Sequence, residues 1–345
     1  MNLPALVLSA LAPATVLAAG VRDATEPHVW QPGLISGTLH DAAPAFLPDG
    51  DTVYFGRSSS LDGPLPVICV SRLVDGAWKK PEVAPFSGTW GDMEPAIAPD
   101  GSHLIFVSNR PEHAGGAMID GTFNGRTWPG GGGALWRMER TAEGWSAPGR
   151  LPDTINAGGA TFAPAIASNG ALYFMRPDAE TGRFRLFRAA WSNGAYGEPE
   201  PLPFSDGSSS DVDPAVAPGE SFLVFGSGGS RSAAAQDMDL FIVFRQPDGA
   251  WGRPVLIGGS VSAPGSDAES RLAPVPGTLY FSSVRRVPGV SADWNNGKYN
   301  IWSVRLGRER MAELREASLA ATAGDGSAAR ASRIPAEAEF AGVSY

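Results

Sequence analysis

The stretch that decides the fold is Glu94-Pro-Ala-Ile-Ala-Pro-Asp-Gly-Ser-His-Leu-Ile-Phe106. A proline and a run of small and apolar residues lead into an Asp-Gly pair, and a second apolar segment ends on an aromatic residue. Asp-Gly pairs favour tight turns between antiparallel strands. The stretch therefore predicts two short strands joined by a turn.

This unit occurs five times, each time with an acidic or polar residue in front of it, and the other copies start at Asp41, Thr161, Asp211 and Asp267. The anchor positions 44, 95, 164, 214 and 270 are separated by 51, 69, 50 and 56 residues. A repeat of about 50 residues is in the range of β-propeller blades. The long second unit contains residues 111–133, whose run of glycines predicts a surface loop insertion.

Each unit has a second half that adds two more strands. An apolar strand such as residues 134–138 is followed by a turn with an aromatic residue and a proline, as in Asp75-Gly-Ala-Trp78-Lys-Lys-Pro81. Four strands joined by hairpins make one propeller blade. The fifth unit lacks its aromatic–proline strand, and residues 28–36, which precede the first unit, have that character. We therefore predict that this segment pairs with Asn300–Arg305 and leaves no open sheet edge at the junction.

The predicted fold class is all-β, a five-bladed β-propeller of four-stranded antiparallel blades closed by an N-terminal strand. Residues 1–20 resemble a signal peptide, because a short apolar stretch precedes small residues. The propeller is predicted over residues 21–307, and a short helix and a flexible tail over residues 308–345. The blades are expected near residues 41–86, 92–152, 161–204, 211–257 and 267–307, with 28–36 completing the last.

Composition limits the classes of partner. The formal net charge is -9 and no long basic run is present, which argues against nucleic acid as a partner. No segment is long and apolar enough to span a bilayer. The single cysteine, Cys69, lies in an apolar run and is expected to be a buried thiol. We expect an exported protein, periplasmic or secreted, that does not span the membrane.

The stretch Glu94–Arg110 resembles the TolB-type, WD40-like β-propeller repeat, as do the phrases at residues 170–174 and 277–283. The resemblance covers roughly residues 28 to 307, and its motif is specific for the fold. It implies bacterial envelope proteins that serve as binding scaffolds. This chain shows five repeats where TolB has six, and no separate α/β domain precedes them. A role in the Tol–Pal system is therefore not implied.

The repeat places carboxylates at equivalent positions of the first strand of each blade, which lines a propeller's channel. Blade 3 departs from the pattern with Thr161 and Ala163. Residues two apart share one side of a regular strand, so each Asp-x-Glu pair is expected to point the same way. The candidate ligand-binding acids are Asp41, Asp92, Glu94, Asp211, Asp213, Asp267 and Glu269.

Three interpretations of these acids remain open. They tie backbone N–H groups at turns, they bind a divalent cation such as Ca²⁺, or two of them hydrolyse a glycosidic bond. No other cofactor is indicated, and no residue is assigned as catalytic.

Arginines follow the second strand at Arg57, Arg110, Arg176 and Arg285, where they either pair with the channel acids or bind a ligand carboxylate. Recurring tryptophans such as Trp78 indicate packing between blades. Trp90 and Trp294 fall outside the repeat and are candidates for ligand contact.

These features favour a binding scaffold for an envelope protein, peptide or glycan, with the ligand at the mouth of the central channel. The alternative is a carbohydrate-active hydrolase that uses the channel carboxylates. The sequence leaves the question of catalysis open and leans towards a protein without it.

Overall fold

Five antiparallel sheets form a β-propeller in the computed structural model, which describes residues 26–59, 65–229, 231, 237–286 and 297–320. The innermost strands of successive blades contact one another in a closed ring, so the last blade meets the first. The predicted fold class is confirmed, including the number of blades. The signal-like residues 1–20 and the tail from residue 321 lie outside the described residues.

Every blade is built in the same order from the channel outwards. The inner strands are His40–Phe46, Asp92–Ile97, Phe162–Ile166, Asp211–Val216 and Asp267–Leu272. The second strands are Thr52–Ser58, His103–Ser108, Leu172–Pro177, Phe222–Ser227 and Thr278–Ser283. The third strands are Val67–Val74, Ala134–Thr141, Phe184–Ala189, Asp239–Phe244 and Asn300–Arg305. The outer strands are Glu82–Val83, Gly149–Arg150, Glu200–Pro201, Val255–Leu256 and His28–Val29.

Short hairpins extend several of the third strands. They use the turn residues that the sequence offers: Asp75 and Gly76 have φ of 54° and 74°, and Asn193 and Gly194 have φ of 51° and 79°. Two consecutive positive φ angles are typical of the type I′ turn, whose twist matches that of the flanking strands. The small strands of these hairpins are Ala77–Trp78, Gly144–Trp145, Trp191–Ser192 and Ala195–Tyr196.

The N-terminal segment closes the ring. His28 pairs with Ser303 and Val29 with Trp302, so the segment forms the outer strand of blade 5. The Trp30 amide donates to the Ile301 carbonyl at 2.8 Å. The predicted pairing with Asn300–Arg305 is therefore present.

Aromatic rings from neighbouring blades meet at their interfaces. Trp30 lies 5.3 Å from Trp78 and 5.5 Å from Tyr280, both edge-on. The Trp145 indole donates to the Tyr54 hydroxyl of the preceding blade at 2.9 Å. The recurring tryptophans thus pack between blades, in accord with the large apolar area that each ring removes from water.

Four elements are added to the blades: a hairpin, two 3-10 helices and an α-helix. The insertion in blade 2 contains a hairpin of Gly121–Phe123 and Arg126–Trp128, and two single-turn 3-10 helices lie at Ala157–Gly159 and Gly259–Val261. The helix Arg308–Ala320 packs against the outer part of blade 4. A Cβ on Gly252 would lie 2.6 Å from the Ser318 carbonyl oxygen, so a glycine is needed where the helix crosses. None of the helices in the described part of the chain is long and apolar enough to cross a membrane.

Candidate functional site in the central channel

A β-bulge interrupts the inner strand of every blade two residues after the position of the acid. The bulged residues have φ between 50° and 55°, although none is glycine: Ala43, Glu94, Ala163, Asp213 and Glu269. A bulge adds one residue to a strand and turns its side chain in a new direction. The two carboxylates of an Asp-x-Glu pair therefore meet different partners.

Two of the bulged acids accept a hydrogen bond from the next blade. The Ala163 amide donates to Oε2 of Glu94 at 2.6 Å, and the Glu269 amide donates to Oδ2 of Asp213 at 3.0 Å. Glu94 and Asp213 are 8% and 5% exposed. A buried N–H without an acceptor is costly, so these acids satisfy a donor that the bulge creates.

Blade 5 uses a relay in place of a direct bond. The Ala43 amide donates to Oγ of Ser282 at 3.4 Å, and the Ser282 hydroxyl is hydrogen-bonded to the Glu269 carboxylate. Oε2 of Glu269 is buried and has no hydrogen-bond partner among the described residues. Glu269 therefore retains an oxygen that no described residue satisfies, as do Asp41 and Asp267.

The three bulged acids come from the inner strands of blades 2, 4 and 5 and lie close enough to interact electrostatically. Burial, together with the charges of Asp213 and Glu269, raises the pKa of Glu94 to about 8. Burial and Asp213 raise the pKa of Glu269 to about 7. Burial raises the pKa of Asp213 too, while Arg271 opposes the shift. At neutral pH the cluster therefore carries less than its full negative charge.

A second set of acids lies at the start of the inner strands. Each is buried and paired with an arginine of its own blade, with N–O distances of 2.6, 2.7, 3.4 and 2.7 Å. The pairs are Asp41 with Arg57, Asp92 with Arg110, Asp211 with Arg231 and Asp267 with Arg285.

The same arginines bind the chain that leads into the blade. Arg57 donates to the Ile35 carbonyl at 2.8 Å, and Arg231 donates to the Phe204 carbonyl at 3.0 Å. Arg285 bonds in the same way to Val261. Each guanidinium thus ties the aspartate to the preceding connection, an arrangement that fits a structural role.

Burial affects these aspartates in spite of their partners. It raises the pKa of Asp41 to about 6 against the opposing charge of Arg57, and it raises the pKa of Asp267 to about 6 against Arg285.

Blade 3 replaces the ion pair with neutral contacts. The Thr161 hydroxyl donates to the Ile155 carbonyl at 3.2 Å, and Arg176 donates to the Thr154 carbonyl at 3.2 Å. The guanidinium of Arg176 also lies 4.3 Å from the centre of the Phe187 ring.

Sequence reasoning missed Arg231. It lies four residues after the second strand of blade 4 and has no counterpart in the repeat. The signal in the sequence was indirect: Asp211 occupies the repeat position of the acid, but no arginine follows Ser227 at the position where the other blades have one.

The remaining candidates lie outside these networks. Trp90 is half-buried in the connection that leads into blade 2, and Trp294 falls outside the described residues. Within the described ranges, no three His, Cys, Asp or Glu side chains form a group that could hold a metal ion.

Solved structures share this architecture. An α-L-arabinofuranosidase from Lactobacillus brevis is 11% identical, with a TM-score of 0.53 over 80% of this chain and 92% of that one. A protein designated TolB from Agrobacterium tumefaciens is 14% identical, with a TM-score of 0.44 over 77% of this chain and 90% of that one. No protein-family model and no curated protein sequence matches the chain. At 11% identity, the likeness to the arabinofuranosidase shows the fold alone.

Proposed function

We propose that this propeller is a non-enzymatic binding scaffold of the cell envelope that takes a protein, peptide or glycan at the mouth of its channel. The observation that carries the proposal is that most channel acids are bound to arginines or backbone amides of the protein itself. The four aspartates at the strand starts are paired with arginines, and Glu94 and Asp213 accept backbone hydrogen bonds.

A hydrolase would require a different arrangement. Glycoside hydrolysis uses two carboxylates that both reach the substrate, one as acid and one as base or nucleophile, roughly 5–9.5 Å apart. Of the three acids at the channel axis, Glu94 and Asp213 are more than nine-tenths buried. Glu269 has a free oxygen, but its two neighbours are engaged in holding the bulges.

The lengths of the connections favour one mouth of the channel for the ligand. At the face where the inner strands begin, the links between second and third strands run over residues 59–66, 109–133, 178–183, 228–238 and 284–299. At the opposite face, each link between inner and second strand has five residues. Binding residues concentrate on variable loops that a rigid scaffold positions. Trp90 lies at the face with the long links.

The location in the envelope rests on the signal-like residues 1–20 and on the resemblance of the repeat to TolB-type propellers. Fractionation of cells that express the full chain tests it. The protein should be released with the periplasmic contents or the medium, and its N-terminus should begin after residue 19 or nearby.

The binding role is tested by measuring the melting temperature in the presence of soluble glycan fragments, muropeptides, peptides and Ca²⁺. A separate assay with nitrophenyl glycosides detects turnover. We expect a glycan or peptide to raise the melting temperature without product release. Trp90→Ala should reduce that shift, and Trp191→Ala, on the outer hairpin of blade 3, is its control. Release of nitrophenol that is lost in Glu269→Gln would establish the hydrolase and overturn the scaffold.

A further inference from the structure

The channel ends in a cavity at the face opposite to the long links. Its volume is about 110 Å³, and residues from all five inner strands line it. Apart from Arg271, the side chains that line it are apolar, and many are short, among them Pro44, Ala96, Pro164, Ala215 and Pro274. Arg271 is the charged residue of this wall.

Arg271 is a break in the repeat. Its register in the sheet, opposite Tyr280, corresponds to the positions of Ala45, Ala96, Ala165 and Ala215 in the other four blades. Alanine at this point lets the inner strands approach the axis. Blade 5 therefore carries a guanidinium at the position where the other four blades have the methyl group of an alanine.

The guanidinium of Arg271 is incompletely satisfied. The residue is 6% exposed, and its Nη1 donates to the Ser270 carbonyl at 2.8 Å. Nε and Nη2 are buried and have no hydrogen-bond partner among the residues that the structure describes. Leaving buried donors of a charged group unpaired costs free energy, so an acceptor that reached Nε and Nη2 would be stabilised.

We propose that this end of the channel binds a small aliphatic carboxylate, whose two oxygens accept hydrogen bonds from Nε and Nη2 of Arg271. Nε and Nη2 form one edge of the guanidinium, which matches a carboxylate in bidentate geometry. The hydrocarbon tail lies among the prolines and alanines of the cavity. This site is separate from the ligand mouth of the proposed scaffold and does not depend on it.

The size of the cavity sets the size of the ligand. A dry cavity of roughly 150 Å³ holds benzene. A volume of about 110 Å³ therefore accommodates an acid of about four or five carbons, such as isovalerate.

The neighbouring acids make the binding pH-dependent. Glu94, Asp213 and Glu269 interact with Arg271, and Tyr299 interacts with two of these acids. Glu94 and Glu269 can hold protons near neutral pH, since their pKa values are about 8 and about 7. An anion on Arg271 favours their protonated forms. Binding therefore takes up protons, and affinity rises as the pH falls from about 8.5 to about 6.5.

Calorimetric titration of the full chain with sodium isovalerate tests the proposal. We expect binding at pH 6.5, at least about tenfold weaker binding of isoamyl alcohol and isoamylamine, and weaker binding of isovalerate at pH 8.5. Arg271→Met should weaken isovalerate binding by about tenfold or more. Arg72→Met, which removes the same charge from an exposed position, should leave it unchanged.

A second variant keeps the test informative if Arg271→Met unfolds. Ala215→Leu fills the cavity but leaves the guanidinium in place, and it should abolish binding of isovalerate while the circular dichroism spectrum is retained. The proposal is wrong if the folded wild type does not bind isovalerate, if isoamylamine binds as well, or if either variant binds like the wild type.

Discussion

In four of the five blades, a buried aspartate at the start of the inner strand is paired with an arginine. The arginine bonds both to the acid and to the connection that leads into the blade. Blade 3 achieves the same link with Thr161 and Arg176, without a buried charge. The aspartate thus serves as the partner of the arginine in four blades, and in blade 3 the Thr161 hydroxyl takes its place.

This difference between blades predicts unequal costs for removing an arginine. Arg110→Met leaves Asp92, which is fully buried, without its cation, and we expect it to lower the free energy of unfolding by about 3 kcal/mol. Arg176→Met leaves no buried charge behind, so it should cost less than about 1 kcal/mol. Urea denaturation of both variants measures the two values.

The matched pair also tests the structural assignment of the aspartates. Asp92→Asn combined with Arg110→Met should recover part of the stability that Arg110→Met alone loses, because the uncompensated charge is removed. Equal losses in the two single arginine variants would show that the ion pairs do not hold the blades.

At the scale of elements, the bulge is the feature that organises the channel. It places a residue with positive φ on the axis in all five blades, and the amides of Ala163 and Glu269 then need acceptors from the blade before. Blades whose bulged residue is alanine offer no such acceptor. The bulged acids of blades 2 and 4 therefore satisfy a bulge amide of the next blade, and Ser282 of blade 5 does so for Ala43.

The bulge also explains what the sequence did not reveal at this site. Strict alternation predicts that Asp92 and Glu94 share one side of a strand, and neither has the glycine that usually marks a left-handed residue. The candidate acids were found because they repeat. Their separate partners, and the orphaned edge of Arg271, depend on the register between blades, which no local pattern encodes.

Glu94→Gln tests the role of the bulged acids. Glutamine keeps the acceptor for the Ala163 amide but cannot ionise. The folded pKa of Glu94, about 8, lies above its ordinary value of 4.5, so the folded state binds the extra proton between these values. Wild-type stability therefore falls as the pH rises from about 4.5 to about 8, and the variant should lack this part of the fall.

We expect Glu94→Gln to be more stable than the wild type at high pH only. At pH 8.5 the free energy of unfolding of Glu94→Gln should exceed that of the wild type by on the order of 2 kcal/mol, and at pH 5 the two should be similar. Glu82→Gln, on an exposed outer strand, is the control and should show no difference. A destabilised Glu94→Gln at pH 8.5 would mean that the carboxylate is charged and needed as such.

At the scale of the whole molecule, the ring and its closure were readable from the sequence. Five copies of one unit define five blades, and a missing last strand at one end matches a spare strand at the other. The residues that perform the closure were less visible. Ile35, which is buried beside Trp30, and Ser36, which bonds to both backbone groups of Ile301, carry no repeat signal.

Because the ring is closed by a non-covalent strand, substitutions where that strand packs should lower its stability most. Trp30 is 8% exposed and contacts Phe46 and Trp78 of blade 1 as well as Tyr280 of blade 5. Trp30→Ala should therefore lower the free energy of unfolding by about 3–5 kcal/mol, the usual cost of truncating a buried tryptophan. Trp191→Ala removes a half-buried ring that contacts Tyr196 of its own blade and Arg137 of blade 2, and it should cost less than half as much. Hydrogen exchange of the Trp30 variant should rise first in Asn300–Arg305, whose outer edge loses its partner, and uniform acceleration across all five blades would contradict a clasp at this junction.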